Sequence, residues 1–413
     1  MKADVIVAGA GIVGVCVALH LAARGRSVVL VDRRGPGEET SFGNAGLVER
    51  SSVVPMAFPR DVSAMLRYAV NRAPEVSYHP SFLPQAAPWL ARYWHESSPA
   101  RLKRAAAAML PLIERSVVEH DALAVEAGCG ALFSRKGWLE AFTTARKRDA
   151  VFRESEGYEA YGLSFDRLDG AATRLLEPHL GEAVLGAVHW KDPVSVTDPW
   201  RLTRAYADHF QRKGGRIAVG DAATLREDSR QWAIDTQDGT VTARDAVVAL
   251  GPWSDLVFGR LGYRFPLAVK RGYHMHFGSR GNATLTRSVV HAEAGYVLAV
   301  MDKGIRLTSG VEIAPRDAPP SPVQLGRAEA IARSIYPLGE RLDAEPWMGC
   351  RPAMADMRPV IGPAPRHKGL WFAFGHAHHG LTLGPVTGRL LAEMITDAPT
   401  VVDPAPYAAT RFS

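Results

Sequence analysis

The sequence predicts a mixed α/β chain, α+β taken as a whole, in which a parallel βαβ-type sheet is interleaved with an antiparallel sheet. Three observations carry this. Residues 4–32 run strand, glycine-rich turn, helix, strand. The stretches 199–219 and 369–397 return a helix–strand pair and a strand–helix pair to that unit. Between them, residues 263–312 change to a period of two with hairpin turns.

The first strand, Asp4 to Ala8, leads into Gly9-x-Gly11-x-x-Gly14 and an alanine-rich helix. Gly9 permits the tight turn, Gly11 lets a pyrophosphate approach the backbone, and Gly14 lets helix and strand pack closely. Ile12 and Val13 stand at the helix start, where free N–H groups and the helix dipole favour phosphate. The second strand ends on Asp32, eighteen residues past Gly14, placed to accept hydrogen bonds from an adenosine ribose. The whole context predicts a Rossmann-like unit with a bound dinucleotide. The run from Lys2 to Leu21 also has the look of a secretory leader. Three glycines at phosphate-loop spacing, and a patterned strand where a cleavage site would stand, argue against that.

A loop at 33–37 precedes a second glycine-rich patch, Thr40 to Gly46, whose hydroxyl and amide groups suit a phosphate or a flat ring, or make a plain flexible turn. Residues 55–113 set Tyr68, Trp89, Tyr93 and Trp94 among basic residues. Prolines at 74, 80, 84, 88, 99 and 111 are expected to break this stretch into short helices. Two readings stand for it: a cap over an active site, which is favoured, or a membrane-interface docking surface, since Trp, Tyr and Arg prefer that zone. A longer helix carrying Ile113, Val117, Leu123 and Val125 ends at Gly128. Strands follow at 137–142 and 186–190, then a helix from Pro199 stopped by Gly214-Gly215, then a strand at 216–219. Asp238-Gly239 turns a hairpin between 231–236 and 240–243, and 245–250 is a buried strand. Tyr273, Met275 and Phe277 alternate with His274 and His276, and Asp302-Lys303-Gly304 turns a second hairpin. The expected division assigns 1–125, 195–262 and 345–413 to the nucleotide domain, and 126–194 and 263–344 to a substrate domain.

With 413 residues and 47% hydrophobic content, two domains with a large core are expected. No window is apolar enough to read as a membrane-spanning helix. Cys16, Cys129 and Cys350 are odd in number and far apart, which favours a reducing compartment over a disulfide framework. The net charge of +6 fits surplus surface arginine, or attraction to an anionic membrane or substrate. The scattered arginines carry no nucleic-acid recognition motif, so nucleic acid is not an expected partner.

Taken in order, five motifs span nearly the whole chain: Gly9-x-Gly11-x-x-Gly14 with Asp32; Ser41-x-x-Asn44-Ala45-Gly46; Leu250 to Ser254; Gly349-Cys350-Arg351-Pro352 continuing to Gly362; and Gly375 to Thr382. Together they resemble the flavin-dependent amine oxidoreductases of the D-amino-acid oxidase and glycine oxidase superfamily, most of all the D-amino-acid dehydrogenase small-subunit type. The resemblance implies non-covalent FAD. Gly9, Gly11, Ile12, Val13 and Gly14 would hold its pyrophosphate, Asp32 its ribose, and Arg33 would lie near the adenine. Ser41, Asn44, Ala45, Gly46 and Leu47 would line the path to the isoalloxazine, with Gly251 and Trp253 near the adenosine. Gly375, Gly380, Leu381 and Thr382 would bring N–H groups to the flavin pyrimidine edge, where reduced flavin carries negative charge.

The resemblance also implies a substrate site. Arg351 would grip the substrate carboxylate, since a planar guanidinium makes two parallel hydrogen bonds to it. Tyr296 would support the same carboxylate, Tyr273 lies on a strand that crosses such pockets, and His378 stands beside the flavin-contacting glycine. No metal is expected: His376, His378 and His379 share a turn, with no carboxylate at matching spacing. The implied reaction is oxidative deamination of an amino acid, a neutral or cyclic D-amino acid such as a proline-like one. Hydride would pass from the α-carbon to flavin N5, giving an imino acid and then a 2-oxo acid. The neutral expectation rests on the want of a dedicated acid for a cationic side chain. Two alternatives are a flavin-dependent 2-hydroxy-acid oxidoreductase, with His378 or His274 as base, and a non-catalytic FAD-binding subunit. A quinone or respiratory electron acceptor, no obligate protein partner, and a cytoplasmic location, with peripheral contact at the inner membrane face, complete the expectation.

Overall fold

A computed structural model describes residues 1–412. Strands Lys2–Ala8, Val28–Asp32, Arg216–Asp228, Gly239–Val248 and Leu370–Phe374 form the first sheet. Lys2–Ala8 lies between Val28–Asp32 and Gly239–Val248 and is parallel to both. Arg216–Asp228 extends the sheet on one side and Leu370–Phe374 on the other, again in parallel. Val360–Pro363 closes that side antiparallel to its neighbour. The strands are apolar on both faces because both faces are covered, which is why they read as continuous runs. Helices Ile12–Ala22 and Gly380–Ile395 pack on one face, with Leu19, Leu21, Leu390 and Leu391 in a shared core. The hairpin at Gly239 has the expected place, but 240–243 and 245–248 are one strand, long enough to pair first with Gln231–Thr236 and then with Lys2–Ala8.

The second sheet has eleven strands and centres on Leu267–Ser279. Two of its members depart from the expected division. Trp347–Met354 pairs antiparallel with Leu267–Ser279 over eight residue pairs, Leu267 with Met354 through His274 with Trp347, so it belongs to this sheet and not to the nucleotide side. Val76–Tyr78, from within 55–113, pairs in parallel with Val311–Ile313. A small sheet of Leu47–Val48, Phe133–Ser134 and Val194–Val196 ties the two halves together.

The prolines break the cap only in part: Pro80, Pro84 and Pro99 stand at helix starts as expected, but two others do not interrupt their helices. Pro88 lies inside Leu83–Glu96, and Pro111 inside a single helix Pro99–Ala127. An interior proline costs about 3 kcal/mol through a lost hydrogen bond and a clash. Here burial of Met109, Leu112, Ile113 and Leu123 offsets it. The Tyr407 hydroxyl also donates to the Ala108 carbonyl, 2.6 Å away, beside the interruption. Gly128 caps the helix in the left-handed conformation, φ +70°, as the sequence indicates. Among the described residues no helix is long and apolar enough to cross a membrane.

Candidate active site

A cavity of about 550 Å³ runs from the glycine turn of the first sheet to the face of the second. At its first end, Gly9 has φ +109°, and a Cβ there would lie 2.4 Å from the Ala249 carbonyl oxygen. A Cβ on Gly14 would lie 1.8 Å from the Gly9 oxygen, so this glycine serves packing and does not itself line the cavity. Gly11 differs. A Cβ there would meet only the Ser41 Oγ, at 3.4 Å, so the protein leaves it room and the demand for glycine comes from the cavity side. The Ile12 N–H donates to Ser41 Oγ at 3.0 Å, and the N–H groups of Val13 and Gly14 have no partner among the described residues. Asp32 accepts from the Ala10 N–H at 2.6 Å and lines the cavity; burial holds its carboxyl above the usual range. The Arg33 guanidinium lies 4.5 Å from the Trp253 ring, with Gly251 alongside on the wall. A backbone cradle with free N–H groups, an acid at the strand end and a flat cation–aromatic pair fit a dinucleotide with a pyrophosphate.

The wall continues through Ser41, Asn44, Ala45 and Leu47. Gly46 lies behind it: φ is +72°, and a Cβ would meet the Val196 carbonyl oxygen at 2.2 Å. Helix Gly380–Ile395 begins at the same wall. The Gly380, Leu381 and Thr382 N–H groups have no hydrogen-bond partner among the described residues, and the first two residues line the cavity. Thr382 is fully buried and staples the loop, its Oγ1 accepting from the Glu49 N–H at 3.1 Å and donating to the Leu47 carbonyl at 3.3 Å. Gly375, φ +84°, turns under Met354 and shapes the wall from behind. These groups would hold FAD with its pyrophosphate on the first helix and its ring system toward the second.

Arg351 stands at the far end. Its guanidinium lies flat against Gly272, where a Cβ would sit 2.6–2.8 Å from it, and donates to the Gly310 carbonyl at 3.1 Å. Among the described residues it makes no ion pair, and its other donors face the cavity. Burial lowers its pKa, with the Cys350 and Glu49 charges opposing. His378 lies on the same wall, its ring 3.8 Å from that of His379, and burial keeps it neutral well below the ordinary histidine value. His376 is spent on Thr387, 3.0 Å away.

Of two further expected site residues, Tyr273 lines the cavity and Tyr296 does not. Tyr296 is fully buried, in the core with Leu298 and against His291, and does not line the cavity. Strand alternation turns its neighbours Gly295 and Val297 to the cavity instead. The Tyr273 hydroxyl donates to Glu312 at 2.7 Å and accepts from Arg271 at 2.8 Å and from the Ser321 N–H at 2.8 Å. It is fully engaged in that buried network and unavailable to substrate. Cys350 does not line the main cavity, and burial pushes its thiol up to about 11, which supports non-covalent FAD.

The structure adds three residues that sequence reasoning passed over. Glu49 lines the cavity within 4.0 Å of the ring nitrogens of both His378 and His379. It supplies the carboxylate that the spacing of the histidines did not show. Burial pushes it up to about 7, against Ser52 and Arg351. Lys270 pairs with Arg351 across the sheet, and burial and Arg351 lower its pKa to about 7. Trp347 wedges beneath the loop: Cβ atoms on Gly43 and Gly349 would lie 1.7 and 2.1 Å from its ring. The sheet period carried a signal for Lys270, since 270, 272 and 274 share the face opposite Tyr273.

Comparison with known proteins agrees with this geometry. The family model described as "FAD dependent oxidoreductase", DAO, matches residues 4–394. The chain is 30% identical to a D-amino-acid oxidase of Bradyrhizobium diazoefficiens over 99% of its length and 98% of the relative's. It is 29% identical to a D-amino acid dehydrogenase of Rhizobium johnstonii, over 99% of both. Its fold is similar to that of glycine oxidase from Geobacillus kaustophilus, at a TM-score of 0.76 and 22% identity over 99% of both chains. A match over nearly the whole chain, on the motifs that build the cavity, shows that it belongs to the DAO family of FAD-dependent oxidoreductases.

Proposed function

We propose that this enzyme oxidises the α-carbon–nitrogen bond of a D-amino acid. The observation that carries it is Arg351: a half-buried guanidinium, in no ion pair among the described residues and lining the cavity that holds the FAD cradle. A carboxylate is the natural partner, and the bidentate grip fixes its plane. Bound FAD supplies a two-electron oxidant, and the substrate loses hydride from carbon and a proton from nitrogen. Glu49 faces the same space and takes the ammonium proton, since nitrogen must free its lone pair before the carbon can be oxidised. His378, within 4.0 Å of Glu49 and held neutral, does not compete with it for charge. Water then hydrolyses the imino acid to a 2-oxo acid and ammonia. A hydroxy-acid substrate would use His378 as base, but a carboxylate set against an ammonium favours the amine.

We further propose a quinone or respiratory acceptor reached at the cap side, with the enzyme on the cytoplasmic face of a membrane. Support comes from helix Val62–Ala69, which has no buried residue and exposes Val62 and Leu66 between Arg60 and Arg67. The amine reading is tested by anaerobic bleaching of the purified yellow protein with D- and L-amino acids and 2-hydroxy acids. Bleaching by D-amino acids is expected. Bleaching by hydroxy acids alone, or by nothing in the panel, overturns it.

A further inference from the structure

We infer that the substrate is an acidic D-amino acid, its second carboxylate held by Lys270. This deepens the amine-oxidation reading and rests on it. The argument is a charge count. Lys270 and Arg351 are direct partners in the antiparallel ladder of Leu267–Ser279 and Trp347–Met354. Side chains of directly opposed residues leave the sheet on one face, with Cβ atoms about 4.5–5.5 Å apart. Both line the cavity. Two cations thus emerge side by side, spaced for two carboxylates joined by a short carbon chain.

Neither cation has an acidic partner among the described residues. Lys270 is packed under the cap, its Nζ 4.1 Å from the Tyr93 ring centroid and 5.2 Å from that of Trp89. Aromatic faces attract an ammonium but do not cancel its charge. The buried ion pair of this strand belongs to its other face, where Arg271 meets Glu312 at 2.8 Å. Asp32, Glu39, Glu140 and Asp221 also line the cavity, but Glu49 is the carboxylate whose charge acts on Arg351, and it lies against His378 and His379.

A neutral zwitterion would bring its carboxylate to Arg351 and its ammonium toward Glu49, leaving Lys270, half-buried beneath Tyr93 and Trp89, without a counter-charge. A buried unpaired charge is costly. An aminodicarboxylate matches all three groups. The electrostatic penalty that pushes Lys270 toward its neutral form, burial and the neighbouring guanidinium, is what a second carboxylate would relieve. The expectation of a neutral side chain rested on the want of a dedicated acid for a cationic one, and it did not weigh a second cation beside Arg351, which the fold supplies in Lys270.

The test uses the FAD-loaded enzyme and steady-state turnover with an artificial electron acceptor. D-aspartate and D-glutamate are compared with D-asparagine and D-glutamine, which keep shape and lose charge, and with D-leucine and D-proline. The acids should exceed their amides in kcat/KM by on the order of 100-fold. In Lys270→Met that ratio should collapse to within a few-fold, and Lys270→Arg should restore part of it. Flavin content reports whether each variant folds. A readout that needs no variant is perturbation of the wild-type flavin spectrum by malonate and succinate against acetate and propionate, with the dicarboxylates expected to bind more tightly. Amides or neutral D-amino acids turned over as well as the acids overturn the proposal while leaving amine oxidation standing. Failure of every D-amino acid overturns both.

Discussion

At Arg351, in the proposed reading, a single side chain would fix both the charge and the plane of the substrate. Its flat seat on Gly272 leaves the cavity-facing edge of the guanidinium free for two parallel hydrogen bonds. Lysine would keep the charge and lose the fork, so Arg351→Lys should lower kcat/KM by about 2–4 kcal/mol with normal flavin content. Turnover near wild type would remove Arg351 from the carboxylate role. Glu49 makes a pH prediction with a definite sign. Its carboxyl, pushed up to about 7 by burial, must be ionised to take a proton, so kcat/KM should rise as pH increases through about 7. The groups that face it are Ser52, His378, His379 and Arg351, and both histidines stay neutral across that range. In Glu49→Gln the rise should move up to the substrate amine's own range. A limb that stays near 7 would assign it to another group.

Among elements, the glycine turn separates two kinds of glycine that look alike in sequence. Gly14→Ala drives a Cβ into the Gly9 oxygen, so it should lower both the melting temperature of the apoprotein and FAD retention. Gly11→Ala meets nothing closer than the Ser41 Oγ at 3.4 Å, so the apoprotein should melt near wild type while FAD affinity falls. Equal loss of stability in both variants, measured by thermal unfolding, would contradict this division. Helix Val62–Ala69 makes a prediction of another sort. Val62, Leu66 and Val70 are 68%, 65% and 62% exposed, and Arg60 and Arg67 flank them. Basic residues around an apolar helical face complement an anionic lipid surface. The protein should pellet with phosphatidylserine-containing vesicles and not with neutral ones, and Val62→Ser with Leu66→Ser should abolish pelleting. Equal recovery with neutral vesicles would set the membrane reading aside.

The whole molecule is two sheets meeting over one cavity, with a cap that is partly a lid and partly a surface. Leu83–Glu96 supplies Tyr93 to the cavity wall, while Val62–Ala69 has no buried residue, so the proposed docking surface and the cap over the cavity draw on different helices of 55–113. Because Cys350 faces a second, smaller cavity, the flavin should leave the protein on acid precipitation and colour the supernatant. Colour remaining in the pellet would show a covalent link.

The division between what the sequence determined and what the fold decided follows the range of the forces involved. Local rules made the nucleotide side legible: a strand, a glycine turn and a helix start are set by dihedral limits and hydrogen bonding within a few residues. So Gly9, Gly11, Asp32, the capping Gly128 and the hairpin glycines could be read directly, and Arg351 could be named by motif. Which face a strand turns to the cavity is not local. Tyr296 lies on the strand expected but points into the core, because alternation sets pairs of faces and only packing chooses between them, while Tyr273 reaches the cavity wall with its hydroxyl tied to Glu312 and Arg271. Pro88 and Pro111 were misleading for the same reason, since tertiary burial outweighed a local penalty. Glu49 and Lys270 are 221 positions apart in sequence and meet Arg351 and His378 only where the two sheets enclose common space. Their charges matter because that space is buried, and burial is a property no short stretch of sequence contains.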